Sequence, residues 1–384
     1  MRKLYYEDSH IKTFTATVTG CEPCEDGYAV TLDATAFYPE GGGQACDIGR
    51  LDRVKVVSVK EVGEQVVHYC DKALPVGAEV SGTIDWDRRF DLMQQHAGEH
   101  VVSGIIYKHY GYHNVGFHIG ADVVTIDFDG PLHPAELRRI EDWANEAIWQ
   151  NLPVKCYYPT QEELPNVNYR RKKDLPWPVR IVEIPGVDTC ACCGAQVQHT
   201  GEIGLVKLLS CVKFHQGVRI EMACGKRATA ILGDIYDQNR LVSQAFSAKM
   251  TDTGEAAERM NEALTAEKFR SAGLEKRLFE FIAKTYAGQA LALHFERDLS
   301  PAANRELCNA IAGVSKVAVT LSGTDESGYS LCIISREADA KAVGTALTSA
   351  LGGRGGGKRE AFQGSIAASR ADIEKFFQDC PICT

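Results

Sequence analysis

The stretch from residue 87 to residue 106 constrains the fold more than any other. Phe90, Met93, Val101, Ile105 and Ile106 recur near helical spacing, Asp87 is placed to cap the start, and Gly111 is placed to end the turn series. Within that helix His96 and His100 lie four apart, on one face and one turn from each other. A helix offers two imidazoles to one metal ion in this way. The same pair also suits an ordinary arrangement in which one imidazole packs and the other is solvated, and the spacing alone does not choose.

Length and composition bound the rest. A chain of 384 residues exceeds one typical core and suggests two to three domains. Its 45% hydrophobic and 24% charged residues are ordinary globular values. No apolar run approaches the roughly 18 residues that a membrane span needs. The first residues, MRKLYYED, lack the apolar centre of a signal peptide, so a cytoplasmic location is expected. Fourteen cysteines in such a chain then read as thiols or metal ligands rather than a disulfide framework. A formal net charge of −9 excludes a surface that is positive throughout, but leaves room for a local basic patch on nucleic acid.

Four regions follow from the patterning, and the fold class expected is α+β. Residues 1–85 hold the β-rich runs 13–19, 54–59 and 65–70, punctuated by Gly and Pro, which predict a small barrel or sandwich. Residues 86–223 mix helix and strand: the two-histidine helix, a strand over 123–128, and a helix opened by Pro134 and running to about Gln150. Residues 224–290 are mostly helical, with Asp252 and Glu255 arranged like a capping box. Residues 291–384 read as a separate small α/β domain with strands at 317–321 and 330–334 and a helix from Asp339 to Leu351.

Several motifs carry candidate chemistry. FYPEGGGQ (37–44) contains three consecutive glycines, which let backbone approach a ligand closely or simply make a turn. Residues 188–204 hold Cys190, Cys192, Cys193 and His199 among glycines, a plausible metal loop or a group of inert thiols. Cys21 and Cys24 have zinc-knuckle spacing without a second pair nearby, and Cys380 and Cys383 lie at the terminus. Arg170, Arg171, Lys172 and Lys173 form a compact basic run, a solvated loop or a phosphate contact. GGRGGGKR (352–359) reads as a flexible loop whose Arg354, Lys358 and Arg359 can meet a nucleic-acid backbone, or as a plain hinge.

FYPEGGGQ, HAGEH (96–100), the Cys192–Gly204 segment ending HTGEIG, and GGRGGGKREAFQG (352–364), in that order, resemble one family: the long-form AlaX proteins, related to the editing and C-terminal domains of alanyl-tRNA synthetase. The resemblance covers nearly the whole chain. It implies a β-barrel-like domain (1–85), a zinc editing domain (86–223), a helical connector (224–290) and a DHH-associated C-terminal domain (291–384). It also implies trans-editing, the zinc-dependent hydrolysis of the ester that joins serine or glycine to tRNA(Ala).

Zn2+ ligands carried over from the family are His96, His100 and Cys192, with Gln196 standing where the family has a histidine. An amide oxygen is a weaker zinc ligand than an imidazole, so His199, Cys190 or Cys193 are alternatives for the fourth position. Glu99 is the candidate general base, and Thr35, Gln44 and Asn114 are candidate recognisers of the misplaced amino acid. Contacts to tRNA are expected from Arg170, Arg171, Lys172, Lys173, Arg354, Lys358 and Arg359, and a homodimer from the connector and C-terminal domain. The alternative function is an acceptor-end binding module whose catalysis is weakened or lost through Gln196.

Overall fold

Alternation of apolar residues along the N-terminal segments closes a barrel. In the computed structural model, which describes residues 1–171 and 177–379, the strands are β1 (Thr13–Cys24), β2 (Gly27–Leu32), β3 (Gly49–Leu51), β4 (Val54–Val62), β5 (Gln65–Cys70) and β6 (Glu79–Ile84). They pair in the order β1-β2-β5-β4-β3-β6 and back to β1, all antiparallel. The period of two turns Phe14, Ala16 and Val18 inward from β1, and Val80 and Ile84 from β6.

The barrel leads straight into helix α1 (Trp86–Tyr110). Its cap is Asp85 rather than the expected Asp87: Asp85 has extended backbone and accepts the Arg88 N–H at 3.2 Å, whereas Asp87 already lies in the first helical turn. Gly111, with φ 73°, ends the helix in the left-handed conformation. Every residue from 92 to 106 is buried, including Gln94, Gln95, His96, Glu99, His100 and Ser103. Polar groups so placed need partners, and α1 finds them in the elements around it. Gln95, for example, brackets the backbone of Cys224, donating to its carbonyl at 3.0 Å and accepting its N–H at 2.8 Å.

Those elements are a four-stranded antiparallel sheet and a smaller three-stranded one. The first contains β7 (Asn114–Ile119) and β8 (Val124–Phe128). Helix α2 (Pro134–Trp149) comes next, then β9 (Lys155–Tyr157), β10 (Ile181–Ile184) and β11 (Asp188–Ala191) of the second sheet. Strands β12 (Val206–Phe214) and β13 (Gly217–Cys224) complete the first sheet in the order β12-β13-β8-β7. Helix α1 packs on both sheets and on α2. Helix α3 (Gly225–Phe246) follows, and the first compact unit of the chain is Met1–Leu241.

The second unit, Val242–Thr384, takes in the last residues of α3 and continues with the long helix α4 (Thr253–Lys284). Asp252 stands at its N-cap but makes no capping bond; its carboxylate accepts the Thr251 hydroxyl at 2.7 Å instead, so the expected capping box is not formed. The unit continues with β14 (Leu291–Glu296), α5 (Pro301–Ala312), β15 (Val317–Thr324), β16 (Gly328–Ser335), α6 (Ala340–Leu351), β17 (Gly353–Lys358), β18 (Ala361–Ile366) and α7 (Arg370–Gln378). Its sheet runs β14-β15-β16-β18-β17, with β14 and β15 parallel and the other pairs antiparallel.

The glycine-rich segment expected as a flexible loop is therefore the edge strand β17. Absence of side chains is what lets it pair: a Cβ on Gly355 would come within 2.6 Å of both the Phe362 ring and the Gln363 carbonyl. The fold as a whole is α+β, as the patterning implied. No helix among the described residues is long and apolar enough to cross a membrane.

Candidate metal centre

Three elements meet at the two histidines. Helix α1 supplies His96 and His100 one turn apart, with ring centroids 5.4 Å apart and planes inclined by only 11°. Just beyond β11, Cys192 brings its sulfur to 3.3 Å from His96 Nε2. The turn at 41–44 closes the third side, with Gly42 and Gly43 at φ 60° and 81° and a backbone bridge between Gly41 and Gln44. The ligand atoms of His96, His100 and Cys192 all lie within 4.8 Å of one another.

Both imidazoles are oriented from behind. His96 Nδ1–H donates to Gln44 Oε1 at 2.9 Å, and His100 Nδ1–H donates to Asp188 Oδ2 at 2.9 Å. These partners hold a proton on each Nδ1 and turn each Nε2, the remaining nitrogen, toward the side of Cys192. His100 Nε2 is buried and makes no hydrogen bond. The Cys192 sulfur accepts from the Gly194 N–H at 3.3 Å and the Gln196 amide at 3.8 Å. Its loop is pinned by Arg180, which donates to the carbonyls of Cys192 and Gly194 at 2.9 Å each. Two imidazole nitrogens and one thiolate are a donor set that suits zinc.

Electrostatics act in the same sense. Burial pushes the Cys192 thiol up, but His96 and His100 outweigh it and hold the thiol well below its ordinary value. Burial pushes His100 down, and Cys192 with Asp188 holds it well above its ordinary value. The two shifts describe one charge pair, thiolate beside imidazolium, from which ligation would release a proton.

A cavity of about 390 Å³ opens in front of these groups, lined by Gly42, Gly43, His96, Glu99, His100, Phe117, Arg170 and the 190–193 loop. Glu99 is 5% exposed, and one of its carboxylate oxygens accepts from the Ser103 hydroxyl at 2.5 Å and from the Asn114 amide. Asn114 also donates to the Ser103 hydroxyl at 3.1 Å.

The structure thus brings together His96, His100, Cys192, Gln196, Gln44, Glu99 and Asn114. Thr35 is placed elsewhere: it is fully buried, its hydroxyl lies 2.8 Å from His68 Nε2, and it does not line the cavity. Of the alternatives for a fourth ligand, His199 has an imidazole about half exposed near Glu202, Cys193 is exposed, and Cys190 lies within 4.8 Å of the His100 and Asp188 ligand atoms. Arg170 lines the cavity and forms a two-pronged ion pair with Asp188 at 2.7 and 2.8 Å. Arg171 is exposed, with its guanidinium 5.9 Å from the centroid of the Tyr169 ring. Lys172, Lys173, Cys380 and Cys383 lie outside the described residues. Arg354 and Lys358 are exposed on β17, and Arg359 follows them. Cys21 accepts the Leu74 N–H through its sulfur, and among the described residues Cys21 and Cys24 join no group of potential metal ligands.

Sequence reasoning missed Asp188, Ser103 and the orienting part of Arg170. The alternation of Asp188, Cys190 and Cys192 at a period of two was the available signal, because a strand turns such residues to one side.

Comparison with known proteins gives a consistent set of relatives. Residues 4–88 match the family of class II (A) tRNA synthetases, and residues 179–221 match the second additional domain of threonyl and alanyl tRNA synthetases. Over 96% of its length the chain is 32% identical to the alanine–tRNA ligase of Thermofilum pendens, and the match spans 43% of that protein. It is 28% identical to the alanyl-tRNA editing protein Aarsd1 of Mus musculus, over 99% of this chain and 98% of that one. The Aarsd1 protein of Danio rerio is 26% identical over 97% and 96%. The chain therefore spans less than half of the synthetase and nearly the whole of the editing proteins. Among solved structures, the C-Ala domain of Aquifex aeolicus alanyl-tRNA synthetase overlaps 23% of this chain and 87% of its own at 20% identity and a TM-score of 0.21, too loose a likeness to carry an argument.

Proposed function

We propose that this chain, which is AlaX-like along its whole length, is a trans-editing aminoacyl-tRNA deacylase that hydrolyses Ser- or Gly-tRNA(Ala) at a zinc site. One observation carries the reading: two imidazoles with their Nδ1–H groups already committed and one low-pKa thiol converge at a cavity, in a chain whose full-length relatives are alanyl-tRNA editing proteins.

His96, His100 and Cys192 would hold the metal, with Gln196 or Cys190 beside the fourth position. Zinc bound there supplies Lewis-acid polarisation and an anchoring charge for the ester. The chain's own groups do the rest. An aminoacyl ester is already activated, so placement of water and steadying of the developing oxyanion are the main demands. Glu99, fixed by Ser103 and Asn114 at the cavity wall, is the proton acceptor for the attacking water.

Selectivity for serine over alanine rests on a single hydroxyl. Gln44 Nε2 and Asn114 Oδ1 are buried polar atoms without a hydrogen bond, one a donor and the other an acceptor. A serine hydroxyl that reaches either gains a partner that alanine lacks, which is how a site disfavours the smaller analogue. Binding of tRNA uses the 170–173 run and Arg354, Lys358 and Arg359. Homodimerisation uses the exposed stripe Met260, Leu264, Leu274, Leu278 and Phe281 of α4, and sedimentation of the full chain tests it.

Incubation with Ser-, Gly- and Ala-tRNA(Ala), with and without added zinc, tests the function. Zinc-dependent hydrolysis of the first two esters, with the third spared, is expected. Binding of the acceptor end without turnover would instead support the second reading, a tRNA-binding module. That reading draws on Gln196, whose amide stands 3.8 Å from the Cys192 sulfur in place of an imidazole.

A further inference from the structure

We infer that Asp188 is a positioning residue for His100, held in its own position by Arg170. The inference rests on the metal reading above and extends it to residues behind the site.

The argument begins with a missing side chain. Gly104 lies four residues after His100, on the same face of α1. A Cβ there would meet the Val187 carbonyl at 2.5 Å and the Asp188 Cβ at 2.6 Å. With only hydrogen at this place, the start of β11 lies directly against the helix, one turn beyond the imidazole. The Asp188 carboxylate then reaches His100 Nδ1 at 2.9 Å, and both side chains are 2% exposed.

The carboxylate is not free to turn. Arg170 Nε donates to Oδ1 at 2.7 Å and its terminal nitrogen donates to Oδ2 at 2.8 Å, a planar two-pronged clamp that fixes the plane of the acid. Arg170 is itself nearly buried, with 10% of its side chain exposed. One carboxylate thus serves two cations-in-waiting, guanidinium on one side and imidazole on the other. The consequence for His100 is specific. Its Nδ1 is obliged to carry the proton, its ring is fixed about Cβ–Cγ, and its unpartnered Nε2 is left as the ligand atom. His96 has a neutral amide, Gln44, in the corresponding place, so the carboxylate behind the ring is particular to His100.

The test is direct zinc affinity, measured on the full chain by competition with a chromophoric chelator at fixed pH. Asp188→Asn keeps the shape and removes the charge; about 10- to 100-fold weaker binding is expected, with a changed absorption spectrum of the cobalt-substituted protein. Arg170→Gln leaves the carboxylate but removes its clamp, and is expected to weaken zinc in the same direction. It also separates this role from a contact to tRNA, which would raise KM and leave metal affinity alone. Zinc affinity within twofold of wild type in both variants overturns the inference while leaving the metal reading intact. So does an Asp188→Asn protein whose zinc-free form melts early but whose cobalt spectrum is unchanged, because that marks a folding residue only. A wild-type chain that binds no zinc overturns both readings together.

Discussion

Gly194 lies flat against the His96 ring: a Cβ at residue 194 would come within 2.0 Å of Cε1 and 2.3 Å of Nδ1. The backbone of the cysteine loop is therefore part of the wall that fixes this imidazole, along with the bond to Gln44. Arg180 holds the same loop through the carbonyls on either side of Cys193, so the loop cannot withdraw to admit a methyl group.

Gly194→Ala is accordingly expected to displace His96 from Cys192. Zinc affinity should fall by about tenfold or more, with the melting temperature of the zinc-free protein changed far less. Chelator competition on the purified variant checks it, and affinity equal to that of wild type would show that the loop moves freely after all.

Arg89 joins the glycine-rich segment to α1. It is completely buried, its Nε donates to both oxygens of Asp47 at 2.9 Å, and its terminal nitrogens donate to the carbonyls of Ser9 at 2.9 Å and Ala36 at 2.6 Å. Asp47 in turn accepts the Tyr38 N–H at 2.5 Å. Removal of one partner leaves a buried, uncompensated charge, so Arg89→Ala is expected to cost about 3–5 kcal/mol of stability. Urea denaturation measures this; a loss under about 1 kcal/mol would contradict the network's role.

How much of this was legible in the sequence depends on the range over which each residue acts. His96 and His100 are four apart, and a helical period reports such a pair directly. The barrel strands announce themselves by their alternation of apolar residues. The helix cap was misplaced by two residues because Asp85 and Asp87 are both acids near the start, and only backbone conformation separates them. Asp188, in contrast, acts on a histidine 88 positions earlier, and Asp47 on an arginine 42 positions later. No local pattern encodes such pairs; they exist only once the strands have packed on α1. The run GGRGGGKR misled for a different reason. Glycine is poor in isolated strands, and only the close approach of Phe362 and its strand makes β17 favourable.

His68 provides a pH handle inside the barrel. It is 0% exposed, its Nδ1–H donates to the Val30 carbonyl at 3.1 Å, and its Nε2 accepts the Thr35 hydroxyl at 2.8 Å. Burial lowers its pKa from 6.5 to about 4. A lowered folded-state value means that the unfolded chain takes up the proton first as pH falls. The associated stability is complete above pH ~6.5 and is lost progressively down to pH ~4, about 3 kcal/mol in all. Unfolding free energies of wild type and His68→Gln between pH 7 and 4.5 should diverge, the wild type falling more steeply by up to ~1.4 kcal/mol per pH unit. Parallel curves would show that His68 is not the titrating group.

Gln196 offers the most direct gain-of-ligand experiment. Its Nε2 stands 3.8 Å from the Cys192 sulfur, and its Oε1 is buried without a hydrogen bond. The side chain therefore occupies space beside the metal ligands without satisfying its own acceptor. An imidazole at this position, two per cent exposed as the amide is, would place a stronger nitrogen donor next to Cys192. Gln196→His is expected to tighten zinc by about tenfold or more. If the amide limits turnover, hydrolysis of Ser-tRNA(Ala) should rise in the same variant. Tighter zinc with an unchanged rate would mean that the native amide already leaves the reaction its open position. Unchanged zinc affinity would mean that residue 196 does not border the metal, and would direct the search for a fourth ligand to Cys190.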